Sequence, residues 1–113
     1  MTAPPAHQTY QPCIDACHAC VTACNACLSG CLQEANASAM ARCIALDMDC
    51  AALCQLAAAA MARNSEMASH LCRVCSQACL ACASECSHHA HDHCQHCAQV
   101  CRQCAQACHA MQQ

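Results

Sequence analysis

Between Cys13 and Cys31 the cysteines fall at 13, 17, 20, 24, 27 and 31, in steps of four, three, four, three and four. That alternation follows the turn of an α-helix, about 3.6 residues, and sets six thiols in one stripe. The same spacing returns at Cys72, Cys75, Cys79, Cys82 and Cys86, and again at Cys94, Cys97, Cys101, Cys104 and Cys108. Cys43, Cys50 and Cys54 form a sparser stripe. A globular helix carries leucine where these helices carry sulfur. The spacing therefore restricts the chain to helices whose buried faces are thiols.

What surrounds those stripes is small. The 113 residues suffice for one domain. They include 19 Cys, no Phe, no Trp and the single Tyr10, so the apolar share of 58% is largely Ala and Cys. At roughly 25 cal/mol per Å² of apolar surface, such side chains support a fold weakly, and something else should fill the space between helices. A secreted disulfide scaffold is the usual reading of a short chain with more than about 8–10% Cys. Here the cysteine count is odd, and one Gly and three Pro are too few for a loop-rich scaffold. Thiols three or four apart on a helix have Cβ atoms about 5–6 Å apart, whereas a disulfide needs about 3.8 Å. Met1–Gln11 shows no basic n-region, apolar h-region or twin arginine, so no export signal is visible. Reduced thiols in a cytoplasmic protein are expected.

Membrane and nucleic-acid readings find no support. The longest apolar run, around Ala51–Ala62, is broken by Gln55 and falls short of the about 20 residues that spanning requires. The net charge is −3, with four Arg and no Lys, which leaves no basic patch.

In chain order, residues 1–11 read as a flexible tail, and 12–113 as one domain. Pro12 suits the first turn of a helix over about 12–35, with Gly30 near its end. Ser38 suits the N-cap of a second helix over 38–63. Asn64-Ser65 makes a turn, and Ser65 caps a third helix over 66–88. Asp92 and Gln95 resemble a capping box opening a fourth over 92–111. Four helices with short turns predict an all-α, antiparallel up-down-up-down four-helix bundle with a Cys-lined core.

Pointed at the bundle axis, nineteen thiols occupy one narrow channel. As thiolates they are soft ligands, suited to Cu(I), Zn or Fe–S clusters. Packing alone gives no reason to prefer Cys over Ala or Leu at sixteen regularly spaced positions, which argues against an inert core. Charge balance then separates the metals. Zinc takes four thiolates, so a handful of Zn²⁺ would leave a large buried negative charge that no Lys could offset. If each Cu(I) takes two thiolates and each thiolate bridges two coppers, the ratio is one to one and the core is neutral. Fe–S clusters need discrete sets of four Cys, which a continuous ladder does not offer. CxxC recurs too often, and outside any βαβ context, to mark a thioredoxin-like site. No nucleophile–base or acid–base pair stands out, so an enzyme is not expected.

The bundle ends differ. Tyr10, Met61, Ala68 and Met111 read as an apolar plug at one end. The other carries Met40 and the segment Ser87–His93, SHHAHDH. Asp47 falls on the cysteine stripe of helix two, an unusual place for a carboxylate. His89 continues the helix-three stripe and His91 precedes Cys94 by three. Met40, Asp47, His89 and His91 are therefore candidate entrance ligands. A solvated loop serves as well for His88 and His93, and His7, His18, His70, His96 and His109 read as surface residues.

The ladder Cys13–Cys31, its two repeats and the His/Met end resemble the bacterial copper storage proteins, the Csp family, over Pro12 to Met111. With 19 Cys and no visible export signal, the chain is similar to the cytosolic class. The resemblance implies a homotetramer of four-helix bundles, many Cu(I) ions bound by core thiolates, and metal entrance at the polar mouth of Asp47, His89 and His91. It implies storage or detoxification as the function. A metallothionein-like Zn/Cd buffer and a thiol redox buffer remain the alternatives, and no copper chaperone or exchange partner is indicated.

Overall fold

The structure, a computed structural model, describes residues 6–111, with side chains from Tyr10 onward. Helix α1 spans Ala6–Gln33, α2 Ala41–Ala62, α3 Ala68–Cys86 and α4 Asp92–Ala110, and a single 3₁₀ turn, Ala37–Met40, leads into α2. Each helix packs on its two neighbours, α1 on α2 and α4, and α3 on the same pair. Sulfur contacts give the directions. Cys13 of α1 meets Cys108 of α4 at 3.3 Å, and Cys31 meets Cys94 at 3.8 Å. Cys43 meets Cys86 and Cys54 meets Cys75, both at 3.5 Å. The bundle is therefore antiparallel and up-down-up-down. Diagonal helices keep their backbones apart, yet their thiols meet across the axis, Cys20 to Cys79 and Cys54 to Cys104 at 3.9 Å. Short side chains at the facing positions allow that closeness.

Alanine completes the buried faces where sulfur is missing. Ala57, Ala58, Ala60 and Met61 of α2 and Ala68 of α3 are buried at one end, with Tyr10 and Met111 packed against them. Met40 is buried at the other. By length and composition 37–62 is apolar enough to cross a membrane, with a mean hydropathy of 1.5 over its best window, more than the run 51–62 suggests. In the bundle its Cys43, Asp47, Cys50, Cys54 and Met61 face is core.

Several local expectations are corrected. Residues 6–11, read as tail, are helical, and Pro12 lies inside α1 rather than in its first turn. Residues 1–5 lie outside the described ones. Gly30 lies near the end of α1, as expected, and the helix closes at Gln33, two residues short of the expected bound. Ser38 lies within the 3₁₀ turn, and Met40 takes the N-cap position of α2 without a side-chain bond. Ser65 does not cap α3 directly; its Oγ accepts from the Met67 N–H at 3.1 Å, and α3 opens one residue later. Asp92 and Gln95 make no capping box. His91 holds the N-cap position, and Gln95 reaches back to donate to the His89 and Ser87 carbonyls at 2.7 and 3.3 Å. In each case a turn longer or tighter than local capping patterns suggest places the chain for the next helix. The α2–α3 turn follows expectation. Asn64 adopts φ 53°, a left-handed conformation asparagine tolerates, and the Ser65 N–H bonds the Ala60 carbonyl at 2.9 Å.

Candidate metal centre

All nineteen cysteines are free and buried, none more than 1% exposed. Their spacing along each helix puts i and i+4 thiols within reach: Cys20–Cys24 3.9 Å, Cys27–Cys31 3.8 Å, Cys82–Cys86 3.9 Å and Cys97–Cys101 3.8 Å. Facing helices supply the rest. Cys20 touches Cys50 and Cys101 at 3.6 Å, and Cys54 touches Cys75 and Cys79 at 3.5 and 3.8 Å. Four-sulfur sets recur along the axis, Cys17/Cys54/Cys75/Cys104, then Cys20/Cys50/Cys54/Cys79, then Cys20/Cys24/Cys50/Cys101, then Cys24/Cys82/Cys97/Cys101. Successive sets share members. The array is a ladder in which one sulfur can serve two ions, unlike a row of closed four-ligand sites.

Thiols in such contact act on one another. Hydrogen bonding with Cys108 first, and then with Cys17, holds Cys104 down to about 6. Burial pushes Cys94 up to about 11, and Cys43 further in the same direction. Loading the ladder with a cation must displace protons from the thiols held high.

The mouth holds Cys31, Cys43, Cys86 and Cys94. Here the structure decides His93, for which the sequence supports a solvated loop and an entrance role equally well. His93 lies within 4.8 Å of Cys27, Cys31 and Cys94 sulfurs as a fourth donor. Its Nδ1 is 3.5 Å from Cys94 Sγ and 4.0 Å from Cys31 Sγ, and its Nε2 donates to Glu34 Oε1 at 3.1 Å. The signal in the sequence was Gly30: a Cβ there would come within 2.7 Å of the His93 ring. The predicted entrance residues are placed apart from one another. His91 stacks on His93, centroids 5.3 Å apart, with Nδ1 3.4 Å from Glu34. His89 donates to Glu85 at 2.8 Å, and Glu85 also pairs with Arg42 at 3.2 Å. Met40 is buried at the same end, at the start of α2. Asp47 belongs to the core instead, 1% exposed, its Oδ1 accepting from Cys82 at 3.2 Å, Cys97 at 3.4 Å and Cys86 at 3.7 Å. Burial first, and then the neighbouring Cys97 sulfur, raise its carboxyl to about 9. His18, His70, His88, His96 and His109 are exposed, and the side chain of His7 lies outside the described residues.

The sequence profile of the Csp family, the copper storage proteins, matches residues 6–113. The chain belongs to the copper storage protein family. Solved members superpose over nearly the whole bundle. Apo-Csp3 from Bacillus subtilis is 42% identical, with a TM-score of 0.85 over 91% of this chain and 98% of that one. The Cu(I)-bound copper storage protein BsCsp3 is 40% identical, TM-score 0.88, covering 96% and 100%. A cytosolic copper storage protein from Streptomyces lividans, solved with five coppers, is 35% identical, TM-score 0.90, covering 95% and 94%. No curated protein sequence matches the chain.

Proposed function

We propose that the protein stores Cu(I) at high capacity, about one ion per cysteine, on thiolates lining the bundle core. The observation that carries this reading is the sharing of sulfurs between successive sets, Cys20, Cys50 and Cys54 among them. Shared sulfur suits a soft monovalent ion bridged by thiolates, and Cu(I) at one per thiolate leaves such a core neutral. Copper enters at the His93 mouth, where a partly exposed imidazole stands against buried thiols. The cytosolic relative from Streptomyces lividans supports a cytoplasmic store. Assembly as a homotetramer rests on family resemblance. The role is storage or detoxification, and no catalytic activity is assigned.

The test is titration of reduced, metal-free protein with Cu(I) under nitrogen against a competing Cu(I) chelator. Saturation near nineteen ions per chain with thiolate-to-copper charge-transfer absorption supports the reading. Saturation at a few ions, or preference for zinc at about four thiolates per metal, overturns it in favour of a metallothionein-like buffer.

A further inference from the structure

One position in the ladder breaks the all-sulfur rule. Cys43, Asp47, Cys50 and Cys54 follow the four-three-four spacing of the other stripes, so a carboxylate stands where the pattern calls for sulfur. Asp47 Oδ1 faces three thiols at 3.2, 3.4 and 3.7 Å, and Oδ2 is buried without a hydrogen-bond partner. No basic residue reaches it: Arg42, Arg63, Arg73 and Arg102 are all exposed.

We propose that Asp47, Cys82, Cys86 and Cys97 form a site for one divalent ion of the zinc class, built into the copper ladder. The deduction rests on the Cu(I) reading above. Nineteen thiolates and one carboxylate carry twenty negative charges. Nineteen Cu(I) balance the thiolates alone, so Asp47 either keeps its proton, with Oδ2 still unpartnered, or, once ionised, leaves one charge uncompensated in the core, where isolated charge is very costly. Eighteen Cu(I) and one divalent ion balance it. Geometry agrees. A tetrahedral ion with bonds of about 2.3 Å to sulfur and 2.0–2.2 Å to oxygen holds its sulfurs roughly 3.8 Å apart and its oxygen roughly 3.5 Å from each. Cys82 and Cys86 are 3.9 Å apart, and Cys97 lies within 4.8 Å of Cys82. A borderline cation accepts the mixed sulfur–oxygen set, whereas Cu(I) favours the all-sulfur positions on either side.

The experiment loads the reduced full-length chain with excess Cu(I) and Zn²⁺ together, removes unbound metal and counts both elements. The expected result is one zinc beside about eighteen coppers in the wild type, and no zinc in Asp47→Asn with copper unchanged or one higher. Co²⁺ in place of zinc should show tetrahedral d–d bands, with X-ray absorption giving three sulfurs and one oxygen. Zinc absent from the wild type, zinc retained equally by Asp47→Asn, or cobalt in a four-sulfur shell overturns the proposal. The wild-type cobalt shell decides even if the variant does not fold. A copper count of only a few ions overturns the storage reading instead, so the two failures are distinct.

Discussion

Gly30 and His93 interlock across the α1–α4 interface: the ring of His93 occupies the space that any Cβ at position 30 would need, with the closest approach 2.7 Å. That seat aims Nδ1 at Cys94 and Cys31 while Nε2 is held by Glu34. Gly30→Ala removes the seat. It gains about 0.5–1 kcal/mol of helix propensity, so the clash, rather than unfolding, dominates its effect. The first copper should bind severalfold more slowly by stopped-flow absorption, at unchanged total capacity. Equal initial rates would show that His93 does not guide copper inward.

Asp47 sets a pH dependence of the metal-free fold. Its carboxyl keeps a proton up to about 9 in the bundle and loses it near pH 4 when unfolded. The folded chain therefore binds more protons than the unfolded one across that window, so stability falls as pH rises through it. Asp47→Asn should flatten that decline and raise apo stability at pH 8 on the order of 2 kcal/mol relative to wild type. Denaturant melts at pH 5 and pH 8 test it; parallel shifts in both proteins would refute it.

Copper loading should release protons. Cys94, pushed up to about 11 by burial, is protonated at pH 7 and must lose its proton to bind metal. Apparent affinity then tightens as pH rises, by about tenfold per unit for each proton displaced. Calorimetry in buffers of different ionisation enthalpy should count nearly one proton per copper. Buffer-independent heats contradict this account.

A sulfur at the centre of the ladder should matter more than one at its end. Cys20 touches Cys24, Cys50, Cys79 and Cys101, whereas Cys13 makes its shortest contact with Cys108 alone. Cys20→Ser should lower copper capacity by two or more ions by elemental analysis, Cys13→Ser by about one. Burying the hydroxyl costs apo stability about 1–3 kcal/mol at either place. Equal losses of capacity would mean that the sulfurs are not shared.

Metal should also hold the fold together. The core of Cys and Ala gains little from burial, and an ion that binds only the folded chain stabilises it, by about 4 kcal/mol per site at a thousandfold excess over Kd. Copper-loaded protein should melt well above apoprotein, and a Cu(I) chelator should reverse the shift. Coincident melting curves would count against a core completed by metal.

Much of this was legible in the residue order. A four-three alternation of cysteines can be satisfied by one secondary structure only, because sulfur at those steps lines one face of a helix and no face of a strand. Four such segments with short turns leave few ways to bury every stripe. Asp47 was recognisable as an intruder on the same ground. What local pattern missed were the helix ends. Ser38, Ser65 and Asp92 have the chemistry of caps, but α2, α3 and α4 begin where packing against neighbours lets them, and the 3₁₀ turn at Ala37–Met40 displaces the first. Pro12 misled because α1 runs six residues ahead of it.

The sequence by itself determined the helical stripes, the thiol-lined channel and the soft-metal chemistry, since all three follow from spacing along one chain and the nature of sulfur. The tertiary structure alone decided which sulfurs are shared, that Asp47 lies among Cys82, Cys86 and Cys97 rather than at the mouth, and that His93 faces the thiols while His89 turns to Glu85. Those are contacts between helices distant in sequence. They depend on axial register and on the room that Gly30 leaves, and no periodicity within one helix encodes either.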